Sequence, residues 1–556
     1  MKLLKLSLKA EYGSLKNDFE LNFRESYDPE ITAEIDWNQF HPFCFAGLNG
    51  SGKSNVLEAL ANIFYHLESC VNINQPEIFK TQFSANSCKP DAFELEYYIN
   101  PEKDKKSSIQ NMVLVSISKK PEMAPEMCYS IFPFNENQIP VTVVADKKSK
   151  IPAPAKIYLP DLVIGYSSGE NEILSIPFLK TRLLHYDEYR EVLKKKEKYK
   201  APESNLLYID YEMSQAVLLS NFIFQERAVL EPLETELGIT DIKRFRMNLN
   251  NHTEEHFNIF ENYDSVIKAF KNCATTYFED EEGLTLDFWI NKATKESFKK
   301  NFPDGIFQLF QAFQVLYTLN YRTVTEEIKS DVYQSKGFYT DGKVPNPAPE
   351  DKVFYFLDYY ISKNVTALDG TEESIQLLMK NLSDGEQQFL HTLGICLMLK
   401  DKTALLLLDE PETHFNPGWR SKFMRTLQKS LEASQSDNLM REIVITSHSP
   451  FIISDCFPDK VIIFEKGKQP KNARDTNLRT YGTSIDIIME SIFKKNNTIG
   501  DLSRNEIEEI QEKIKNKKSL SGNEVIKLKK STAHLGDSME KILLFAQLNE
   551  LNKDNA

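Results

Sequence analysis

The sequence has little cysteine: seven residues in 556, scattered and without a CxxC pair. That excludes a disulfide framework and a cysteine-built zinc site, and the thiols read as reduced ones of the cytosol. It also lacks any run near the roughly 18 apolar residues that span a bilayer. Its first nine residues, Met1–Lys9, alternate like a strand and carry no continuous apolar signal core. The expectation is a cytoplasmic protein with no membrane span. Positive charge is short as well: 67 Lys and Arg stand against 81 Asp and Glu, a net charge of −14. DNA could be held only by a local basic face, because non-specific affinity comes from cations at phosphates. No a/d heptad is sustained, which excludes a long coiled-coil arm, and no internal repeat is visible.

What is present is ordinary globular material, 41% hydrophobic and 27% charged. At about 100–200 residues per domain, the length suits two to three domains or one large domain with an insertion. Residues 1–24 read as two strands joined at Tyr12-Gly13-Ser14. Pro42–Ala46 is a short buried strand, followed by a glycine-rich turn and a helix from Asn55 to about Tyr65. A β-rich lobe follows, with strand-like runs at Phe93–Ile99, Met112–Ile117, Val141–Val144 and Lys156–Ile164. From about 170 to 335 the periodicity is helical, interrupted at Pro202, Pro232 and Pro303, and Lys343–Pro349 closes the segment. Strand and helix patterns then alternate to about Lys466, as a parallel α/β sheet requires. The last ninety or so residues are helical and charged, with basic clusters at Lys513–Lys518 and Lys527–Lys530, the best place for a partner to dock.

Four segments carry chemistry. Gly47-Leu48-Asn49-Gly50-Ser51-Gly52-Lys53-Ser54 matches GxxxxGK[ST] in full, between a strand and a helix. Its backbone N–H groups and the helix dipole suit phosphates; Lys53 would reach the β- and γ-phosphates and Ser54 would ligate Mg2+. Gly47, Asn49, Gly50, Ser51, Gly52, Lys53, Ser54 and Asn55 are therefore candidate nucleotide-binding residues. In Ala404-Leu405-Leu406-Leu407-Leu408-Asp409-Glu410-Pro411 a buried strand delivers two carboxylates to the ligand-binding end of a sheet. Asp409 would hold Mg2+, and Glu410 would be the general base toward water. Asn381-Leu382-Ser383-Asp384-Gly385-Glu386-Gln387-Gln388 opens a helix, either as an anion site or as a plain capping box of Ser383 and Glu386. Ile443-Val444-Ile445-Thr446-Ser447-His448-Ser449-Pro450 is a buried strand ending in a histidine.

In this order the motifs resemble the ABC ATPases of the SMC, Rad50, RecF and OLD kind, over roughly residues 1–180 and 350–490. The resemblance implies an α/β ABC-type P-loop ATPase head, with a mixed sheet, flanking helices and a β-rich lobe. It implies a large helical insertion and a helical C-terminal region around that head. The expected division is 1–180 for the first part of the head, 181–350 for the insertion, 351–490 for the second part and 491–556 for the docking region. By the same resemblance, Ser383, Gly385 and Glu386 form the signature that touches the γ-phosphate held by an opposite copy. A homodimer or higher even-numbered oligomer is then needed, with ATP and Mg2+ as cofactors. His448 takes the place of the switch histidine, and Glu410 and His448 become the catalytic pair. Glu412-Thr413-His414-Phe415-Asn416-Pro417 resembles the D-loop, though His414 can equally be a surface residue. A Q-loop glutamine has no convincing frame; Gln82 and Gln110 are the candidates.

Tyr158–Glu172 and Tyr481–Met489 further resemble the PtuA family, the ATPases of Septu-type anti-phage systems. That likeness implies an HNH nuclease partner of the PtuB kind and, in retron settings, a reverse transcriptase with its msDNA. OLD relatives carry a metal-dependent nuclease with an EG…DxD set. Here Glu465-Lys466-Gly467 is interrupted by lysine, so nuclease chemistry is expected from another chain. The competing reading is a RecF- or Rad50-like repair ATPase that binds DNA directly; a transporter subunit ranks last, given the large insertion. His252-Thr253-Glu254-Glu255-His256 matches HxxEH but lies in a polar stretch unsuited to burying zinc. The Lys194–Lys200 run reads as a solvated helix face, and the aromatic run Phe354–Tyr360 as core or interface.

Overall fold

Uninterrupted apolar runs build the central layer. In the computed structural model, Phe43–Gly47, Leu162–Ser167, Ala404–Asp409 and Arg441–Ser447 are almost wholly buried strands of a seven-stranded sheet. The strand order is Lys471–Asn472, Val461–Phe464, Phe43–Gly47, Arg441–Ser447, Ala404–Asp409, Leu162–Ser167, Leu206–Tyr208. Neighbours run parallel, except that Lys471–Asn472 is antiparallel at the edge. Parallel strands covered on both faces need apolar side chains throughout, which is why these segments do not alternate. The structure describes all residues except 27–39, 103–108, 135–136, 147–150, 169–171, 198, 200–201, 203, 255–256, 336–343, 400–401, 434–439, 495–498, 516–519 and 554–556.

A six-stranded antiparallel sheet forms the β-rich lobe, in the order Phe19–Asn22, Lys2–Leu8, Phe93–Ile99, Val113–Lys119, Glu126–Ile131, Ile139–Val141. The helix Lys53–Val71 is nearly all buried. Its Val56, Leu60 and Phe64 share one apolar cluster with Leu6 and Phe93 of the antiparallel sheet and with Phe45, Leu405 and Val444 of the parallel one. The N-terminal end of this helix is thus held at the C-terminal end of Phe43–Gly47, an inner strand of the main sheet. Two strand expectations shift. Val141–Val144 contributes only its first residue to a strand. Lys156–Ile164 is split: Pro154 opens a 3-10 turn through Tyr158, and the strand begins at Leu162.

The middle segment holds the expected helices, among them Glu172–Lys194, Tyr211–Phe224, Arg227–Leu237, Ile306–Leu319 and Glu326–Gln334. Strands run through it as well. Ile239–Asn250 pairs with Gly283–Trp289 and Phe354–Thr366 in an antiparallel sheet of five. Its apolar residues Ile239, Ile242 and Phe245 stand three apart, a helical spacing. The register shifts at Ile239/Asp241, Ile242/Arg244 and Arg244/Arg246 let a strand present them to one core. Pro232 lies inside the helix Arg227–Leu237 and does not end it; burial of Leu230, Pro232, Leu233 and Leu237 outweighs one lost backbone bond. In the aromatic run, Phe354 and Tyr359 are core residues, their rings packed with Phe245, Phe313 and Tyr317.

Residues 1–482 form one unit and 483–556 another. The second contains the helices Ile485–Ser491, Asp501–Lys515, Gly522–Ser531 and Met539–Lys553, with Ile507, Ile510, Leu520, Val525, Leu544 and Leu548 in its core. Among the described residues no helix is long and apolar enough to cross a membrane. Some expectations fall partly outside those residues: Gly169–Asn171 of the Tyr158–Glu172 segment, Glu255 and His256 of the HxxEH pattern, Lys198 and Lys200, Lys343, and Lys517 and Lys518.

Candidate functional site

The site forms where three parallel strands end together. Arg441–Ser447 lies between Phe43–Gly47 and Ala404–Asp409, so Ser447 stands beside Ala46 and Thr446 beside Asp409. Residues 47–54, 409–412 and 446–448 therefore converge although some 400 positions separate them in sequence.

The glycines of the first loop are needed by its path. Gly47 has φ 147°, and a Cβ there would lie 2.2 Å from the Phe464 carbonyl oxygen. Gly52, the residue before the helix, has φ 101°, with Leu15 where its Cβ would be. Leu48, Asn49 and Gly50 form the exposed lip. Lys53 is buried, and its Nζ donates to the carbonyls of Gly47 at 3.0 Å and Leu48 at 3.1 Å. Burial lowers its pKa, opposed by the carboxylates of Glu410 and Asp409. Ser51 Oγ is buried without a hydrogen-bond partner. Asn55 turns the other way. Its Oδ1 accepts from the N–H and Oγ of Ser14, and its Nδ2 donates to Glu58, so it ties the Tyr12–Leu15 turn to the helix.

Asp409 Oδ1 accepts from Ser54 Oγ at 2.8 Å and from Thr446 Oγ1 at 2.6 Å. Thr446 Oγ1 in turn accepts from the Glu410 N–H at 3.0 Å. Glu410 has φ 48°, a left-handed conformation that costs a non-glycine residue roughly 1–3 kcal/mol. It turns the carboxylate toward His448, whose Nε2 is 3.1 Å from Glu410 Oε1. That bond, against the effect of burial, lowers the Glu410 pKa and keeps it a carboxylate. Behind it Glu412 is buried, with one oxygen accepting from Ser447 Oγ and the other unpartnered; burial raises its pKa to about 7. Thr446, Ser447 and Glu412 were not singled out from the sequence. The one signal was hydroxyl side chains at the end of a buried strand, where nothing else could satisfy them. Ser168 is a further addition: its N–H donates to the Asp409 carbonyl and its Oγ to Thr413.

Ser383 caps the helix Asp384–Met398, and Glu386 completes the capping box. Burial raises the Glu386 pKa, but bonds from Lys363 and Ser383 pull it lower overall. A Cβ on Gly385 would lie 2.8 Å from the His414 carbonyl oxygen, and the His414 N–H donates to Gln388 Oε1 at 3.0 Å. The Asn381–Gln388 and Glu412–Pro417 segments are thus locked together; the His414 side chain is exposed. This helix packs on Tyr211–Phe224, Arg227–Leu237 and Pro417–Ala433, whereas Lys53–Val71 packs on Glu172–Lys194 and the main sheet. Of the Q-loop candidates, Gln82 donates to Ser330 and Gln110 is exposed on a single turn. Positive-φ glycines, an unpartnered Ser51 hydroxyl and a buried lysine fit a nucleotide phosphate. The Ser54 and Asp409 oxygens form a hard donor pair of the kind Mg2+ takes.

Residues 285–454 match the family described as "AAA domain, putative AbiEii toxin, Type IV TA system". That stretch of the chain is similar to an AAA-type ATPase domain. The match takes in Ser383–Glu386, Asp409, Glu410 and the strand Arg441–Ser447 with His448, and Gly47–Ser54 lies outside it. Protein ea59 of Escherichia phage lambda is 24% identical over 121 residues, a stretch that spans 22% of either chain. Among solved structures the chain is similar to an SMC head bound to the C-winged helix domain of ScpA, at 11% identity and TM-score 0.34, covering 85% of this chain and 97% of that one. It is also similar to an SMC head with an extended coiled coil, bound to the C-terminal domain of ScpA from Pyrococcus furiosus: 12% identity, TM-score 0.31, 86% of this chain and 98% of that one.

Proposed function

We propose that the chain binds and hydrolyses ATP with Mg2+ in sites completed by two copies meeting head to tail, and that this cycle controls a partner nuclease of the HNH kind. The observation that carries the ATPase reading is the unbroken hydrogen-bonded string Ser54–Asp409–Thr446–Glu410, continued by the Glu410–His448 pair. Bound Mg2+-ATP supplies the phosphoanhydride to be cleaved. Lys53 neutralises phosphate charge, Ser54 and Asp409 hold the metal, and Thr446 fixes Asp409 against Glu410. Glu410, kept ionised by His448, accepts the proton of an attacking water. Head-to-tail completion is supported by the signature helix, whose main packing partners are Tyr211–Phe224, Arg227–Leu237 and Pro417–Ala433, whereas the P-loop helix packs mainly on Glu172–Lys194. The nuclease partner, with a retron reverse transcriptase and msDNA in such settings, is supported by the PtuA-like segments.

Mixing two inactive variants tests the shared site. Lys53→Ala spoils the phosphate loop and Ser383→Arg the signature. In a mixed dimer both lesions fall in one composite site and the other site is intact. With random pairing, half the dimers are mixed and half their sites intact, so activity should return to about a quarter of wild type for a two-fold symmetric assembly. A mixture no more active than its separate components refutes head-to-tail completion. For the partner, affinity capture of Glu410→Gln with ATP should retain the product of a neighbouring nuclease gene. ATP-dependent DNA binding by the lone chain, with no such partner, supports the repair reading instead.

A further inference from the structure

The P-loop helix Lys53–Val71 has a second face, away from the phosphate loop. There Asn62, Tyr65 and His66 line a cavity of about 330 Å³, closed by the helix Glu77–Gln82, by Lys180 of Glu172–Lys194 and by the end of Glu326–Gln334. That volume lies at the lower end of small-molecule pockets.

Lys180 is the anomaly. It is only 5% exposed, and no carboxylate lies within ion-pairing distance of it among the described residues. Its Nζ donates to the Ser335 carbonyl at 2.6 Å and lies 5.6 Å from the centroid of the Tyr65 ring. An ammonium has three donors, and a buried cation is normally compensated by charge. Two other buried lysines obey that rule: Lys329 is 2.5 Å from Asp187, and Lys119 holds three carbonyls and Asp91. Lys53 resembles Lys180 in bonding to carbonyls alone, and Lys53 faces the candidate phosphate site. Burial lowers the Lys180 pKa to about 8, so it is still charged at neutral pH.

The remaining walls suit a ring with a hydrogen-bonding edge. Phe79 and Phe83 stack at 5.1 Å and 14°, and Tyr333 meets Phe79 edge-on. Gln82 donates to Ser330, but its Oε1 is buried and accepts nothing. His66 is neutral, its pKa lowered by burial to about 4, with Nε2 at the Ala85 carbonyl. A cation without a counter-charge among the described residues, an aromatic wall and an unused acceptor have complements in one molecule: a phosphate, a base and a base amino group. We propose that this cavity binds a nucleoside monophosphate, with its phosphate on Lys180, its base along Phe79 and Phe83, and its amino edge at Gln82. The site lies on the helix whose N-terminal end carries Lys53 and Ser54.

Calorimetric titration of the full chain tests this in a Lys53→Ala background, which separates the cavity from the P-loop. AMP, GMP, CMP, UMP, adenosine and inorganic phosphate serve as probes. At least one monophosphate should bind once per chain, and at least tenfold more tightly than adenosine or phosphate. Adding Lys180→Met should weaken that binding at least tenfold. Methionine removes a buried charge at similar volume, so a wild-type melting temperature shows the loss is local. Gln82→Leu should weaken the amino-bearing bases selectively. Absence of any monophosphate binding overturns the proposal, as does equal affinity after Lys180→Met or equal affinity for phosphate alone.

Discussion

Replacing Thr446 by valine keeps the volume of a fully buried side chain and removes one hydroxyl. That hydroxyl donates to Asp409 at 2.6 Å and accepts the Glu410 N–H at 3.0 Å. The Glu410 N–H keeps a second acceptor, the Thr446 carbonyl at 3.2 Å, so the loss falls mainly on Asp409. A hydrogen bond to a charged group is worth about 1.5–3 kcal/mol. Asp409 belongs to the proposed Mg2+ pair with Ser54, so misplacing it acts on the reacting geometry. Expressed in the transition state, the loss slows turnover by roughly tenfold to a hundredfold. Steady-state ATPase assays over a range of Mg2+ should show a reduced kcat and a raised Mg2+ requirement for Thr446→Val. Thr446→Ser, which retains the hydroxyl, should stay within about threefold of wild type, a difference below 1 kcal/mol. If the valine variant turns over as fast as the serine variant, Thr446 does not position the carboxylates.

Two further outcomes follow from the same region. Burial raises the Glu412 pKa to about 7, so between about pH 4.5 and 7 the folded chain binds a proton that the unfolded chain has lost. Stability from this group therefore falls as pH rises through that window, by roughly 3 kcal/mol at most. The melting temperature of Glu412→Gln should rise relative to wild type from pH 5 to pH 8, and parallel curves refute the assignment. Gly385→Ala drives a methyl group into the His414 carbonyl and the Trp419 ring. It should cost about 1–3 kcal/mol in thermal denaturation and loosen the signature from the D-loop; an unchanged melting temperature contradicts the packing described.

Much of the main sheet was legible because parallel strands buried on both faces must be apolar throughout. Phe43–Gly47, Ala404–Asp409 and Arg441–Ser447 therefore stand out in an otherwise mixed sequence. The strand Ile239–Asn250 was not legible, since its bulges place apolar residues three apart and mimic a helix. Within the candidate site, Lys53, Ser54, Asp409, Glu410 and His448 were readable one by one from local patterns. Asn55 was read toward the nucleotide, yet its amide is engaged by Ser14 and Glu58.

The sequence by itself determined which residue types stand at the ends of the buried strands, and hence the class of chemistry, because glycine-rich turns, paired carboxylates and caps are local features. Only the tertiary structure decided which of them share a hydrogen bond. The Thr446 bridge, the protonatable Glu412 behind Glu410 and the bond from buried Lys180 to the Ser335 carbonyl depend on strand order and helix packing. Residues far apart in the chain come within 3 Å only when apolar burial drives the layers together, and no local pattern records that distance.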